Sequence, residues 1–432
     1  MKRPLLFGLT ALLSVAGLLV AGCGGSQEAS GSDSSAAPGV TDNQIVLGTH
    51  LPLSGSPAAA YGVIADGMSA YFDYVNSQGG VYGRKIKLII GDDHYSPPDA
   101  MEVVRNEVEQ QHVLAIVGGV GDQTELAVMN YLEDQGVPDM FVGGGLPIFT
   151  DPLVRTRFTM ETDYVTETKI MGDFVDKNLT GKREGILYED DEAGLTGVSA
   201  VEDLLKEKNS DIRIISKQAY DPTAADVTAQ MERLKADNPD FVVLMANVAA
   251  AANAIKVSRE VLNWNVPFVI SAVSAVEATI ALAGPANIEG TISMTTGKMI
   301  SETNDAGVQR HIELMKEFEP SVQPSGLTEY GMAVAELTVQ ALKNAGPNLT
   351  RDSLITGAEN IRNYCGLLGL GPVNLSPTDH RVSEGGWPEK VIDGKWVRVG
   401  EPSNYESTPG DVYACTGEGQ PIYKATSTPS SP

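Results

Sequence analysis

Residues 113–136 read "VLAIVGGVGDQTELAVMNYLEDQG". A short apolar run ends in glycine, and the residues after it repeat their apolar positions at helical spacing until Gly136. An apolar run of this length followed by an amphipathic helix indicates a βα unit. Strands of a parallel sheet are buried on both faces, which explains the uninterrupted apolar run. This stretch therefore predicts an α/β fold.

The same pattern occurs along the chain in two successive runs. The first extends from "QIVLGTH" at 44–50 to "VPDMFVGGG" at 137–145, and the second from the helix "TKIMGDFVDKN" at 168–178 to "IEGTISMTT" at 288–296. Two runs predict two lobes, each with a doubly wound parallel sheet. Helices follow at 305–319 and 327–345, and "VIDGKWVRV" at 391–399 predicts a hairpin around Asp393-Gly394.

The N-terminal residues have the anatomy of an export signal. A positive start is followed by the apolar run Leu5–Val20 and by "VAGC", which ends at Cys23. We predict a signal peptide over 1–22, and the cysteine resembles that of lipoprotein signals, in which it is lipidated. An ordinary signal peptide with an incidental cysteine is the alternative. Residues 23–43 predict a Gly/Ser-rich tether, and residues 425–432 a disordered tail.

The other two cysteines are Cys365 and Cys415. A lipoprotein is anchored outside the cytoplasmic membrane, in an oxidising space where disulfides persist. An isolated pair of cysteines in an exported chain predicts one disulfide, and two unpaired thiols are the alternative.

The charge of the chain limits its partners. Without Lys2 and Arg3, 29 Lys and Arg stand against 56 Asp and Glu, a net charge of −27. Such a surface repels phosphate backbones, so nucleic acid is not expected as a partner. The roughly 390 residues after the tether suit two lobes better than one core.

The stretch "LGTHLPLSGSPAAAYG" at 47–62 could belong to several kinds of site. It lacks the lysine of a phosphate-binding loop. Ser54 lacks the glycine two residues earlier that a nucleophile elbow needs. What remains is a ligand-binding lip with hydroxyl groups and the aromatic ring of Tyr61, or an ordinary βα turn.

A second glycine-rich turn, "GGVGDQT" at 118–124, resembles a dinucleotide fingerprint only in part. Thr124 stands at the third glycine position, and the strand expected to end in a ribose-binding acid ends in Gly143-Gly144-Gly145. We therefore predict no nucleotide cofactor. Backbone N–H groups at the helix start favour a carboxylate or another polar ligand group.

The titratable residues give no catalytic pattern. The five histidines, His50, His94, His112, His311 and His380, lack metal-ligand spacing; we expect His50 to face the lip and the others to lie on surfaces or loops. The acidic clusters Asp92-Asp93 and Glu189 to Glu192 could ligate a hard cation. The favoured alternative is that these carboxylates stabilise helix N-termini. We predict no catalytic residue, no metal and no cofactor.

Several segments resemble one known family. "LGTHLPLSG", "YFDYVNSQGGVYGRKIKLIIGDD", "HVLAIVGGVGD" and "GVPDMFVGGG" are similar to the branched-chain amino acid type of periplasmic substrate-binding proteins, which serve ABC importers. The resemblance runs from about residue 44 to 400. It implies two lobes, with ligand held in the cleft between them and three crossings near 160, 297 and 362. The near lobe is then 44–160 plus about 298–361, and the far lobe 161–297 plus about 362–424.

The resemblance also implies ligand contacts, carried over by position. In the near lobe these are Ser54, Tyr61, Gly121, Asp122, Gln123, Thr124, Gly143, Gly144 and Gly145; in the far lobe they are Asp191, Ala193, Asn247, Ser271 and Ser274. The amino-acid binders hold the ligand ammonium with an acid after the strand "VPFVIS", where this chain has Ser271 to Ser274. A buried ammonium without a carboxylate is costly.

The resemblance thus implies a protein that delivers a small molecule to an ABC permease. The ligand would be an amino acid, a carboxylate or an amide, with the last two favoured because of the missing acid. We expect a lipid-anchored monomer. An extracellular sensor with the same fold, or an enzyme, is the alternative.

Overall fold

In a computed structural model, the chain is described over residues 37–404, except 56, 180, 225, 368 and 370, and over the backbone of 413–415 and 421–423. Two β-sheets in this part of the chain form the centres of two α/β lobes, which we call the near lobe and the far lobe. The predicted fold class is confirmed.

The near lobe begins with a parallel sheet in the order β2-β1-β3-β4-β5. Apolar side chains cover both faces of this sheet, against α1 on one side and against α2 and α3 on the other. The elements are β1 (Gln44–Leu51), α1 (Val63–Ser77), β2 (Lys85–Asp92), α2 (Pro97–Glu109), β3 (Ile116–Val117), α3 (Asp122–Asp134), β4 (Asp139–Val142) and β5 (Arg157–Thr159).

The far lobe repeats the arrangement, with parallel strands in the order β7-β6-β8-β9-β10. Two buried apolar clusters again lie on the two faces of the sheet. The elements are α4 (Tyr164–Asn178), β6 (Arg183–Glu189), α5 (Glu192–Glu207), β7 (Arg213–Tyr220), α6 (Thr228–Asp237), β8 (Phe241–Met245), α7 (Val248–Lys256), β9 (Phe268–Ile270), α8 (Glu277–Ala283), α9 (Pro285–Ile288) and β10 (Ile292–Thr295).

The chain then returns to the near lobe with three helices and afterwards adds strands to the far-lobe sheet, while the last two described strands pair only with each other. Antiparallel strands β11 and β12 extend that sheet beyond β10, and the hairpin between them confirms the turn predicted at Asp393-Gly394. The elements are α10 (Ala306–Phe318), α11 (Gly326–Ala345), α12 (Arg351–Glu359), β11 (Gly385–Ile392), β12 (Lys395–Arg398), β13 (Ser403–Asn404), β14 (Tyr413–Cys415) and β15 (Pro421–Tyr423).

The third crossing between the lobes lies later than the predicted residue 362. Val373 and Leu375 are buried in the near-lobe core. His380 stacks on Phe158 with ring centroids 3.9 Å apart, and Arg381 continues the near sheet beside Thr159. The crossing therefore occurs between Arg381 and β11, because residues 361–381 bury their apolar side chains against the near lobe.

The predicted tether is also shorter than 23–43. Val40 is buried in the near-lobe core, and the carbonyl oxygen of Gly39 accepts a hydrogen bond from the N–H of Val46 at 2.7 Å. The chain has thus joined the fold before Asn43. Residues 1–36, with the predicted signal peptide and Cys23, and the predicted tail at 425–432 lie outside the described residues.

Two histidine predictions were wrong. His50 does not face the lip but is fully buried, and His311 is buried in a helix rather than on a surface or loop. His380 lies in a loop, as predicted, but its side chain is buried. His311 lies inside α10, where its Nε2 is 3.0 Å from the Thr328 hydroxyl. Each of these side chains has a polar partner, which allows histidine to occupy a core position.

Cys365 is disulfide-bonded. The side chain of Cys415 lies outside the described residues, so this pairing stays a prediction. Within the described ranges, the helices are too short or too polar to cross a membrane.

Candidate functional site

A cavity of about 520 Å³ lies between the lobes. Its near wall follows the carboxyl ends of β3, β4 and β5, and its far wall those of β6, β8 and β9. Ligands of doubly wound sheets bind at this edge, outside the carboxyl ends of the strands. The cavity is therefore the candidate site.

The lobes touch across this cavity through hydrogen bonds. The Tyr61 hydroxyl donates to the carbonyl oxygen of Val273 at 3.0 Å. The Gln123 amide donates to Glu192 at 2.6 Å, and the N–H of Gly326 donates to Glu277 at 2.9 Å. An apolar seam from both lobes, which includes Phe149 and Ala193, lies beside them. These contacts hold the two lobes in a closed arrangement.

The predicted contact residues divide into two groups. Those on the cavity wall are Tyr61, Gly121, Asp122, Gly143, Gly144, Ala193, Asn247 and Ser271. The others lie off the wall. Ser54 donates to Asp92 at 2.6 Å, and Thr124 is buried with its hydroxyl donating to Val120. The remaining four form hydrogen bonds with other protein groups: Gln123, Gly145, Asp191 and Ser274.

The predicted role of the glycine loops as N–H donors is not what the geometry favours. The N–H groups of Gly121 and Gly143 donate to backbone carbonyl oxygens at 3.0 and 2.8 Å. The N–H of Gly145 donates to the Asp122 carboxylate at 3.1 Å. A Cβ at residue 145 would lie 2.6 Å from the Tyr164 ring. Glycine is needed at position 145 because the Tyr164 ring packs directly against its backbone.

Most polar side chains of the far lobe on or near the wall lie at the N-termini of helices. Asp191 accepts from the N–H of Gly194 at 3.1 Å and caps α5, and Asn247 accepts from Ala250 at 3.1 Å and caps α7. Ser274 is buried and donates to the carbonyl oxygen of Ser271. Helix N-termini favour negative and polar side chains, which accounts for these residue types. The favoured reading of the Asp191 region as a helix N-terminus is thus consistent with its contacts.

Sequence reasoning missed the cavity residues Glu161, Glu167 and Tyr164, and it considered Glu189 only as part of an acidic cluster. Glu167 lies on α4, and its Oε1 accepts from the N–H of Ala272 at 3.1 Å. A carboxylate therefore lies beside the end of β9, although the sequence has serine there. The end of β9 thus has an acid beside it after all, supplied by another element, although the sequence indicated that an acid was missing there.

The cavity acids have raised pKa values. Burial raises the pKa of Glu161 to about 8, and the negative charges of Asp122 and Glu167 contribute to this shift. Burial also raises the pKa of Glu189 to about 8 and those of Asp122 and Glu167 to about 7. Burial disfavours the charged form, and each negative neighbour adds to this. These four acids therefore bind protons more readily than exposed acids do.

A second buried charged group lies under the near wall. His50 Nδ1 is 2.9 Å from Asp93 and its Nε2 is 3.2 Å from Glu125, all with side chains at most 1% exposed. Burial alone would lower the pKa of His50, but the two carboxylates outweigh burial and raise this pKa well above 6.5. Asp93 is therefore a core partner of His50. No cluster among the described residues is arranged to hold a metal ion.

We expect replacement of Tyr61 by phenylalanine to open the cleft. The change removes one cross-lobe hydrogen bond, worth about 1 kcal/mol, which corresponds to roughly a fivefold smaller ratio of closed to open molecules. Spin labels at the exposed Asp134 and Lys206, one on each lobe, would report longer distances. Tyr82→Phe is the control, because its hydroxyl bonds Lys343 within the near lobe. Identical distance distributions in both variants would contradict the expectation.

The geometry defines a class of protein: two α/β lobes that close over a ligand-sized cavity form a cleft-type binding protein. A family model described as "Periplasmic binding protein" matches residues 44–395. The chain therefore belongs to the periplasmic binding protein family, which confirms the resemblance found in the sequence.

Relatives with known names support this assignment. An "Amino acid binding protein" of Pseudomonas aeruginosa is 21% identical over 313 residues, covering 70% of this chain and 79% of the relative. A "Leu/Ile/Val-binding protein homolog 1" of Brucella suis is 22% identical over 308 residues, with the same coverage. Both relatives are named as binding proteins.

Solved structures show the same fold. A branched-chain amino acid ABC transporter protein of Thermus thermophilus with bound valine has a TM-score of 0.76 and 17% identity, over 85% of this chain and 98% of that one. A fatty acid ABC transporter substrate-binding protein of Thermomonospora curvata has a TM-score of 0.76 and 24% identity, over 86% and 95%. The fold thus occurs with different named ligands.

Proposed function

We propose that this protein is the extracytoplasmic substrate-binding component of an ABC importer, anchored by lipid on Cys23. It captures a small polar molecule in the cleft between its lobes and delivers it to a membrane permease. The cavity closed by cross-lobe hydrogen bonds is the observation that supports this proposal most strongly. Membership of the family and the names of its relatives support it further.

The mechanism follows from the two-lobed arrangement. A ligand that touches both walls binds the closed form more tightly than the open form and shifts the population toward it. Tyr61, Gln123 and Glu277 then bridge the lobes. A permease that recognises both lobe surfaces in the closed arrangement would discriminate loaded from unloaded protein. The proposal assigns no catalytic role to any residue.

Uptake measurements test this function. A strain that lacks the protein would be compared with its parent for uptake of a labelled panel of amino acids, carboxylates, amides and amines. Loss of uptake of one compound, restored by the intact gene, is the expected result. If the purified protein binds a compound whose uptake does not change, the protein is a sensor instead.

We expect Cys23→Ala to release the protein from the membrane or to leave its signal peptide uncleaved. Without the thiol no lipid can be attached, and one or more acyl chains supply the anchoring free energy. Membrane fractionation followed by immunoblotting measures the outcome, with Ser26→Ala as the neighbouring control. A Cys23→Ala protein that stays in the membrane fraction with its signal removed would defeat the anchoring proposal.

A further inference from the structure

The wall of the interlobe cavity has a strong excess of acids. Among the described residues it carries eight Asp and Glu but only two basic side chains, Lys298 and Arg381. Both bases are already paired. Lys298 donates to Asp305 at 2.9 Å, and Arg381 donates to Asp379 at 3.0 Å. A ligand anion would thus meet no available side-chain cation on the described part of this wall.

Part of this acidity has a structural explanation. Glu189 accepts hydrogen bonds from the Tyr220 hydroxyl at 2.8 Å and from the Asn247 N–H at 3.0 Å. Asp122 accepts from the Tyr164 hydroxyl at 2.6 Å and from Gly145. These carboxylates fix the loops and helix starts around them, so they would be present whatever the ligand is.

Glu161 differs from them. It lies in the first crossing between the lobes, before the cap of α4 at Asp163, so no helix start accounts for its charge. Its side chain is surrounded by protein yet keeps accessible surface, which faces the cavity. Its neighbours are the acids Asp122 and Glu167 and the hydroxyl of Tyr330. Among the residues that the structure describes, Glu161 is thus a cavity-facing carboxylate with acids and a hydroxyl, but no cation, beside it.

The near wall also disfavours a carboxylate ligand. The Asp122 carboxylate accepts the hydrogen bond of the Gly145 N–H, in the loop where a ligand carboxylate would be expected to bind. A second carboxylate at this point would meet Asp122 in a site largely removed from water, where like charges repel strongly. Asp122 takes the place that the anionic end of an amino acid would need.

Aromatic rings complete the wall. Tyr61, Tyr95, Tyr164 and Tyr330 line the cavity, and Tyr95 and Tyr330 keep accessible surface toward it. Aromatic faces attract cations, and rings combined with carboxylates are the arrangement that recognises alkylammonium groups.

We propose that the cleft binds an alkylammonium cation that lacks a carboxylate, with Glu161 as the counter-ion and the tyrosines around its alkyl groups. This inference rests on the proposed function, since it names the class of ligand for the same cleft. It reverses the expectation from the sequence of a carboxylate or an amide.

The proposal gives binding a defined pH dependence. The groups that face Glu161 are Asp122 of α3, Glu167 and Tyr164 of α4, Tyr330 of α11 and Tyr61 of the turn before α1. Burial raises the pKa of Glu161 to about 8, and a bound cation lowers it, so binding releases a proton. Affinity should therefore rise with pH up to about 8, by at most about tenfold per pH unit for each proton released.

Isothermal titration calorimetry with the full chain tests this. The probes are choline, cadaverine, L-valine and sodium butyrate, in phosphate and in HEPES at pH 7.5, since Tris is itself an ammonium cation. We expect choline or cadaverine to bind, with a buffer-dependent heat that reports proton release, and valine and butyrate not to bind. The first two probes distinguish a quaternary from a primary ammonium.

A pair of variants locates the effect. Glu161→Gln keeps the size of the side chain and should weaken cation binding by about 30-fold or more. It should also abolish the proton release. Glu202→Gln is the matched control, because Glu202 lies on the surface of α5 and pairs with Lys217 at 2.7 Å. Circular dichroism checks that both variants fold, and equal affinity of the two variants would overturn the assignment of Glu161.

Two other outcomes overturn the ligand class. Binding of valine or butyrate without binding of either amine would do so, and it would leave the proposed transport function intact. Absence of binding by all four probes would do so as well. Failure of the transport function itself would appear in the uptake experiment instead, as cation binding without any change in uptake.

Discussion

Replacement of His50 by leucine is expected to lower the free energy of unfolding by about 3–5 kcal/mol, because removing one member of a buried ionic group leaves its partners uncompensated. His50 is the shared partner of Asp93 and Glu125 in the near-lobe core. Among the described residues, the Glu125 carboxylate has no hydrogen-bond partner apart from this close contact with the His50 ring. Urea denaturation followed by circular dichroism measures the effect.

His94→Leu is the matched control for this prediction. His94 also lies 3.3 Å from two acids, Asp92 and Asp99, but half of its side chain is exposed. Exposed ion pairs contribute about 0–1 kcal/mol, so this variant should unfold almost like the wild type. Equal stability of the two histidine variants would show that the His50 group does not hold the near lobe together.

Gly331→Ala is the second substitution with a large expected effect. The helices α1 and α11 approach so closely that a Cβ at residue 331 would lie 2.0 Å from the carbonyl oxygen of Ile64. On the facing helix, a Cβ at Gly67 would lie 2.2 Å from the carbonyl oxygen of Thr328. Since backbone atoms cannot rotate away, the helices must separate. We expect a loss of about 3 kcal/mol, at the upper end of overpacking costs.

The comparison for Gly331 is Gly172→Ala in α4. There the added methyl group would meet only the end of the Leu204 side chain, at 2.3 Å, which can change its rotamer. Alanine also favours a helix by about 1 kcal/mol relative to glycine, so this variant should be near neutral. Thermal unfolding of both variants decides the prediction. If the Gly331→Ala protein were as stable as the Gly172→Ala protein, the contact between α1 and α11 would tolerate a wider spacing.

The order and type of the main elements could be predicted because each one is marked locally. The apolar run before Gly118 and the helical spacing up to Gly136 need no distant residue to be interpreted. The third crossing could not be placed this way. Whether the segment before this crossing belongs to one lobe or the other depends on Val373 and Leu375 joining the near-lobe core and on His380 stacking on Phe158, which is more than 200 residues away in the sequence.

The cavity was predictable in its position but not in its charge. Glycines and small residues after strands marked the loops, so residues such as Gly121 and Gly143 were found. Glu161 lies in the first crossing between the lobes, and Glu167 lies within α4. Acids in such positions are commonly exposed. An acid two residues after the strand "RFT", at the predicted first crossing, was the available signal for Glu161. Nothing local indicated that Glu167 would reach Ala272.

The return of α10 to α12 to the near lobe affects the order in which the protein can fold. The partner of α1 is α11, more than 240 residues later, so this contact closes a loop that contains the far-lobe elements α4 to β10. Such distant contacts carry a large entropic cost and slow folding. The far-lobe part of this loop, from Thr162 to Thr295, has ends that lie close together, because Thr162 bonds Gly385 at 3.0 Å and Thr295 pairs with Trp387 of the same strand, β11. A far lobe that forms first therefore shortens the loop and makes assembly of the near lobe cheaper.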